Sequence, residues 1–265
     1  MFLAVHPDGH FFTGRANPQL VLLDCFVEDG KIKLAYKGKT LEADLEEVYR
    51  RKQVLPAELH AKLRQDGYDC GDEVAAFLSE VLEEDARMVV YSPELFTERT
   101  AIPNAGWWRN PVPTERRDDS YFVDLAQFMI TTKESLDEVN ELLGRSENPI
   151  NSVQFRGNIV VDKCSQAWDE DMWSELRFGD DSDSTVLQCY KPCTRCIFTT
   201  VDPETGTKDP AQQPLQMLKE HRMAPPDLVK DLGKLPIFGV NAGTKMPGYI
   251  YEGQTVWARL KPCAF

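Results

Sequence analysis

No stretch of this sequence stays apolar for the roughly 20 residues that a membrane-spanning helix needs. Its opening, MFLAVHPDGH, has neither the basic region and long apolar segment of a secretory signal nor the Arg-rich bias of a transit peptide. The expectation is a cytosolic chain, or one that begins downstream of its targeting segment. Basic charge is scarce as well: 30 Lys and Arg against 43 Asp and Glu leave a net charge of −13. Neutralising phosphates takes clustered Lys and Arg. No basic stripe is present, which argues against nucleic acid and anionic membrane surfaces as partners. Clusters such as Glu83-Glu84-Asp85, Asp169-Glu170-Asp171 and Asp180-Asp181 read as solvated surface. Repeats and low-complexity tracts are missing. So is a disulfide framework, because seven cysteines are an odd number scattered over a chain of ordinary size. Reduced thiols are expected, with Cys25, Cys70, Cys164 and Cys263 as small buried hydrophobes.

What is present suffices for a core: hydrophobic residues make up 42% of 265 positions, and Leu, Val, Ile and Phe recur in runs. The first lobe (1–92) reads as mostly strand, with hairpins around Asp8-Gly9 and Asp29-Gly30. A helix capped by Asp72 follows, with Val74, Phe77, Leu78 and Val81 on one face. Residues 93–120 carry four prolines, two adjacent tryptophans and no periodicity, and read as a long connection. The second lobe (121–262) opens with the strand QFMITT. A helix follows, with a capping-box pattern at Thr131 and Glu134, a buried face of Leu136, Val139 and Leu143, and a stop at Gly144. VQFRGNIVV, STVLQCY and IFTTVD then read as strands, and Asp202-Pro203-Glu204-Thr205 as a turn. A short helix near PLQMLKEHR and strands at PIFGVNA, GYIYEG and QTVWARL complete it. The class is α+β or barrel-like, without alternating βαβ units.

Chemistry concentrates at CYKPCTRC, where Cys189, Cys193 and Cys196 fall at C-x-x-x-C-x-x-C spacing. The same spacing serves iron–sulfur clusters in radical SAM enzymes, but there it follows the first strand of a (β/α) barrel, unlike this late, β-rich position. Structural zinc takes four N or S ligands, and only Cys164 and His221 could complete the set. A dithiol redox pair of Cys193 and Cys196 would normally open a helix, whereas Ile197-Phe198-Thr199-Thr200-Val201 favours a strand. Three core thiols remain an option. The last reading is a single thiolate, Cys196, serving a soft metal that a cofactor already holds. Thr194 and Arg195 beside it, and Arg156 and Asn158 upstream, would then be polar donors; a guanidinium is a fork-shaped donor for phosphate.

Taken in order, Phe155-Arg156-Gly157-Asn158, Trp173-Ser174-Glu175-Leu176 with Phe178-Gly179-Asp180, and Cys193-Thr194-Arg195-Cys196 running to Gly206 resemble the signature blocks of the MOSC-domain family. Within it they look most like the mitochondrial amidoxime-reducing components and their bacterial relatives. The resemblance is strongest over about 121–260 and weaker over 2–91. It implies a β-barrel MOSC fold with a smaller, N-terminally shortened companion lobe, and a molybdenum cofactor (molybdopterin). Cys196 would be the metal ligand, and Arg156, Asn158, Thr194 and Arg195 would contact the cofactor. Asp124 would be a second catalytic residue. The implied reaction reduces N-hydroxylated compounds such as amidoximes, hydroxylamines or N-oxides. The implied electron path is NADH through a reductase and cytochrome b5, with a mitochondrial outer-membrane location. Cytochrome b5 is acidic, as is this chain, so a local basic patch would be needed; Arg109, Arg116 and Arg117 are the candidates.

Three departures from the pattern set up an alternative. The chain starts after the family's first Lys-Ser-bearing strand and its next Arg; Leu125 and Ala126 stand where small hydroxyl residues are expected; and no membrane anchor is included. A MOSC module that has lost catalysis, or a sulfurase-like C-terminal domain from a pyridoxal phosphate enzyme, is the competing expectation.

Overall fold

The computed structural model describes residues 1–101 and 118–264. Arg109, Arg116 and Arg117 lie outside the described residues. The chain divides into two units, of which the first takes Met1–Thr100, Tyr121–Asp124 and Val201–Lys208 and the second the remaining described residues.

In the first unit, β1 (Phe2–Val5) is followed by β2 (Asp24–Glu28), β3 (Lys31–Tyr36) and β4 (Lys39–Asp44). The two-residue turn at Asp29 and Gly30 has φ of 51° and 72°, and sets Glu28 opposite Lys31. Positive φ at both positions matches the right-handed twist of the flanking strands, which is why an Asp-Gly pair marks the hairpin. The helix α1 (Leu45–Arg51) starts at Asp44, whose Oδ1 accepts from the amides of Glu46 (2.8 Å) and Glu47 (3.2 Å). Its polar sequence hid both β4 and α1. Then come β5 (Val54–Leu55), β6 (Gly67–Asp69), α2 (Asp72–Leu82) and β7 (Arg87–Val90), and the sheet runs β1-β7-β6-β5. Gly71 rather than Asp72 occupies the cap of α2; Val74 and Leu78 bury as expected in one cluster with Ile32, Leu34 and Met88, Phe77 packs partly buried against it, and Val81 is buried. Before β2, Pro18–Leu22 makes a 3-10 turn, because Pro18 at its start has helical φ built in.

Short strands β8 (Thr100–Ala101) and β9 (Asp118–Asp119) border the undescribed residues. The second unit is built on a six-stranded mixed sheet, curled into half a barrel, in the order β11-β10-β14-β13-β12-β15. Its strands are β10 (Phe128–Thr132), β11 (Ile159–Val161), β12 (Trp173–Phe178), β13 (Thr185–Thr194), β14 (Ile237–Met246) and β15 (Val256–Leu260). Helix α3 (Lys133–Leu142) links β10 to β11, which pair in parallel. One βαβ unit therefore occurs where none was expected. Thr132, not Thr131, caps α3, accepting from the Ser135 amide at 3.1 Å. The last helices are α4 (Leu215–His221) and α5 (Val229–Leu232). Among the described residues no helix is long and apolar enough to cross a membrane.

Beneath α3 lies a buried acid. The Glu170 carboxylate accepts from Ser135 Oγ (2.8 Å) and Thr132 Oγ1 (3.0 Å), while its other oxygen has no partner among the described residues. Burial, with a smaller push from Asp171, raises its pKa to about 7. A carboxyl raised in the folded state binds its proton more tightly there, so it favours folding below its unfolded pKa and loses that contribution as pH rises through about 7. Urea titrations of wild type and Glu170→Gln should thus diverge between pH 5 and 8. The variant should gain on the wild type by on the order of 3 kcal/mol. A constant difference across that range would refute the assignment.

Candidate functional site

The three clustered thiols have three different surroundings. Cys189 lies in the core of the second unit, and burial pushes its thiol up to about 12. Cys193 and Cys196 are half-buried, and all seven cysteines are free. Of the four others expected to be buried, Cys70 is, Cys164 is half-buried, and Cys25 and Cys263 are exposed. Among the described residues no three of His, Cys, Asp and Glu are placed to hold a metal by themselves, so Cys164 and His221 complete no zinc site with the cluster.

Strand β13 ends at Thr194, opposite Ile237 of β14. The chain then turns at Arg195, whose amide donates to Pro236 O at 2.8 Å. Residues Ile197–Thr200, expected as strand, form a 3-10 turn. Threonine hydroxyls close it: Thr199 Oγ1 donates to Cys196 O (2.9 Å) and Thr200 Oγ1 to Ile197 O (2.7 Å). Side-chain hydroxyls that bond nearby carbonyls compete with the sheet ladder, which is how this β-branched run escapes it.

Arg195 organises what surrounds the turn. Its guanidinium is buried and faces inward: Nε and Nη2 donate to Phe238 O (2.9 and 2.6 Å), Nη1 to Phe155 O (2.8 Å), and Nη2 also meets Met129 Sδ (3.0 Å). The Phe155 and Phe238 rings stack at 3.9 Å. Desolvation lowers the arginine's pKa, and the nearby thiols of Cys193 and Cys196 and the carboxyl of Glu170 act in the opposite sense. Gly239 is needed at this crossing, because with φ of 80° a Cβ there would sit 2.6 Å from Ile130 O. With four of its five N–H donors on Phe238 O, Phe155 O and Met129 Sδ, Arg195 holds the turn.

The Phe-Arg-Gly-Asn block, expected as strand, is a 3-10 turn (Ser152–Phe155) followed by Arg156 at φ 56°. Arg156 is exposed over the Phe198 ring, 5.1 Å from its centre, and has no carboxylate partner among the described residues. Gln154 Nε2 donates to Thr199 O at 2.9 Å, tying this turn to the one after Cys196. Asn158 pairs twice with Met129, through its backbone amide to Met129 O (2.8 Å) and its Oδ1 from Met129 N (2.7 Å), and its side-chain NH₂ has no partner among the described residues. The structure thus brings Cys196, Thr194, Arg156 and Asn158 around the Arg195 clamp. Composition gave no hint of Met129, Gln154 or Phe238.

Asp124 belongs to the first unit. Its carboxylate is 83% exposed and lies 2.8 Å from His60 Nε2. The segment presenting it is strained, since Tyr121 and Phe122 have φ of 38° and 64°, which costs about 1–2 kcal/mol per non-glycine residue. Arg99, itself buried, holds the carbonyls of Val123 (2.7 Å) and Asp124 (3.2 Å) through Nη2, and Gln65 Oε1 accepts from the Phe122 amide (3.2 Å). An exposed ion pair contributes no more than about 1 kcal/mol, so the pair itself does not offset that strain. Ala126, standing where a hydroxyl residue was expected, is part of the second unit's core.

The donor set suits a pterin-bound soft metal: one thiol on a fixed turn, and, among the described residues, a guanidinium with no carboxylate partner, a side-chain amide NH₂ with no partner and a hydroxyl at Thr194, in an otherwise acidic chain. The model of the MOSC domain matches residues 118–257, and that of the MOSC N-terminal beta barrel domain residues 1–85. The chain belongs to the MOSC-domain family. Its relatives include mitochondrial amidoxime-reducing component 1 of Mus musculus (30% identical, covering 97% of this chain and 71% of that protein). The same component of Danio rerio is 32% identical over 97% and 73%, and component 2 of Homo sapiens 32% over 97% and 72%.

Proposed function

We propose that this chain is a molybdenum-cofactor reductase of N-hydroxylated compounds. The observation that carries the reading is the half-buried Cys196 on a turn clamped by Arg195, beside the exposed guanidinium of Arg156, which has no acidic partner among the described residues. Cys196 would be the thiolate ligand. Arg156 and the Asn158 amide would hold the anionic pterin side, and the Thr194 hydroxyl would add a donor. Bound there, the group supplies two electrons at one centre, the chemistry that N–O reduction needs. The protein's share is to fix the thiolate, neutralise the cofactor's charge and deliver protons; the resemblance makes Asp124 the second catalytic residue. By the names of the relatives, the substrates are amidoximes and the location is mitochondrial; electron supply through cytochrome b5 from an NADH-dependent reductase is what the family resemblance implies. Leu125 and Ala126, which bring no hydroxyl donors, favour the competing reading of a binding module without catalysis.

The test is reduction of an aromatic amidoxime by the purified chain, made in a host that synthesises the pterin, with a reduced viologen as electron source. Turnover to the amidine supports the proposal, and pterin-loaded protein with no turnover supports the binding module. Arg156→Ala separates binding from folding. It should lower pterin retention roughly 10–100-fold, the weight of one charge-assisted hydrogen bond, and leave thermal stability unchanged because the side chain is exposed.

A further inference from the structure

The geometry points to the edge strand β15 as a self-pairing surface, on which two copies of this chain join antiparallel along Val256–Leu260 with Ala258 of each beside the two-fold axis. β15 is the last strand of its sheet and pairs with β12 alone among the described residues. Trp257 to Leu260 are all exposed, Trp257 at 52% and Leu260 at 62%. Backbone bonding shows which groups of the strand are free. Thr255 O accepts from the Gly179 amide (2.8 Å), and the Lys261 amide donates to Met172 O (2.7 Å). Residues 255, 257, 259 and 261 therefore turn towards β12, because the bonding direction alternates along an antiparallel strand. Val256, Ala258 and Leu260 turn their N–H and C=O groups outward, a row without partners among the described residues, of the kind that templates another strand.

The side chains make this edge complementary to itself. Pairing about Ala258 sets Val256 opposite Leu260 of the second copy and Trp257 opposite its Arg259, with no like charges facing each other. Val256, Ala258 and Leu260 stand opposite Phe178, Leu176 and Trp173 on β12, all core residues. The pairing thus continues one apolar face into the other and covers Leu260. On the second face, β12 sets Arg177 opposite Trp257 and Glu175 opposite Arg259. A row across the joint then reads Arg177 and Trp257, followed by Arg259 and Glu175 of the second copy. An indole lies between two guanidiniums, and the Arg259 guanidinium already meets Glu175 of its own chain at 2.9 Å. Aromatic–cation and opposite-charge neighbours are favourable across strands. Trp257 is also fixed beforehand, its Nε1 donating to Asp180 Oδ1 at 2.7 Å, so less side-chain freedom is lost on pairing. β2 is exposed along its whole length too. Pairing it about Phe26 would set Asp24 against Glu28 of a second copy, and like charges directly opposite are unfavourable. That contrast selects β15.

Sedimentation velocity at about 0.15 M salt, which screens the charge of −13 on each copy, tests the pairing. Wild type should pass from monomer to dimer as the protein rises from about 1 to 300 µM, the range of a small, transient interface. Ala258→Pro removes the central outward N–H and no bond inside the chain, and proline is accepted at such an edge position. It should stay monomeric throughout, with thermal stability close to wild type. Leu260→Lys places a charge on the exposed edge and keeps the test open if the proline variant fails to fold. It should weaken the dimer at least about tenfold, the cost of no longer burying one leucine. Hydrogen–deuterium exchange locates the contact: the amides of Val256, Ala258 and Leu260 should slow as concentration rises, and those of β2 should not. A wild-type chain that stays monomeric over the whole range overturns the pairing. So does a dimer that survives Leu260→Lys, or one that leaves exchange in β15 unchanged. None of these readouts needs the cofactor, so the proposed function stands or falls separately.

Discussion

Cys196→Ser is expected to purify without molybdenum and to lose N-reduction, whereas Cys193→Ser should keep most of both. Losing a partner that merely orients a metal ligand costs about 10–100-fold, so removing the ligand itself should cost more. A serine hydroxyl is a harder donor than a thiolate and suits a soft site poorly. The two half-buried thiols are three residues apart, but only Cys196 sits where the chain leaves β13 and enters the turn closed by Thr199. Cys193 belongs to the strand, and its thiol lies 4.0 Å from Thr194 O. Metal content and amidoxime turnover of both variants, measured together, check this. Equal losses would favour a dithiol pair and remove Cys196 from its special place.

Arg195→Leu should destabilise the protein by about 2–5 kcal/mol, because the Phe155 and Phe238 carbonyls lose buried donors that water cannot replace. The acceptors are neutral, so charge alone cannot rescue the site. Arg195→Lys keeps the cation but lacks the planar fork that spans two carbonyls, and should recover less than half of the loss. Urea denaturation gives these values directly. A Leu variant within about 0.5 kcal/mol of wild type, the level of an ordinary surface substitution, would show that the clamp does not hold the turn.

The site's blocks were legible because they are local. Phe155 to Asn158 and Cys193 to Cys196 are short, ordered and close to the family's pattern. What stayed hidden depends on distant partners. Nothing near Arg195 in sequence says that its guanidinium turns inward; its acceptors lie 40 and 43 residues away and Met129 lies 66. His60 belongs to no motif, and Asp124 finds it only after folding. Local preference misled at Ile197–Thr200, where threonine hydroxyls bonded carbonyls and the β-branched run became a turn. The polar run before Gly67 concealed β4 and α1, since Leu41 and Val48 stand nearly alone among charged neighbours. The Asp29-Gly30 hairpin and the buried face of α2 came through, because turn chemistry and helical spacing are properties of adjacent residues.

Elemental analysis of the wild-type chain, purified from a host that makes molybdopterin, tests the thiolate-ligand claim most directly. Molybdenum at the level of the protein, with zinc and iron in traces, is the predicted result. Stoichiometric zinc with no molybdenum would contradict it.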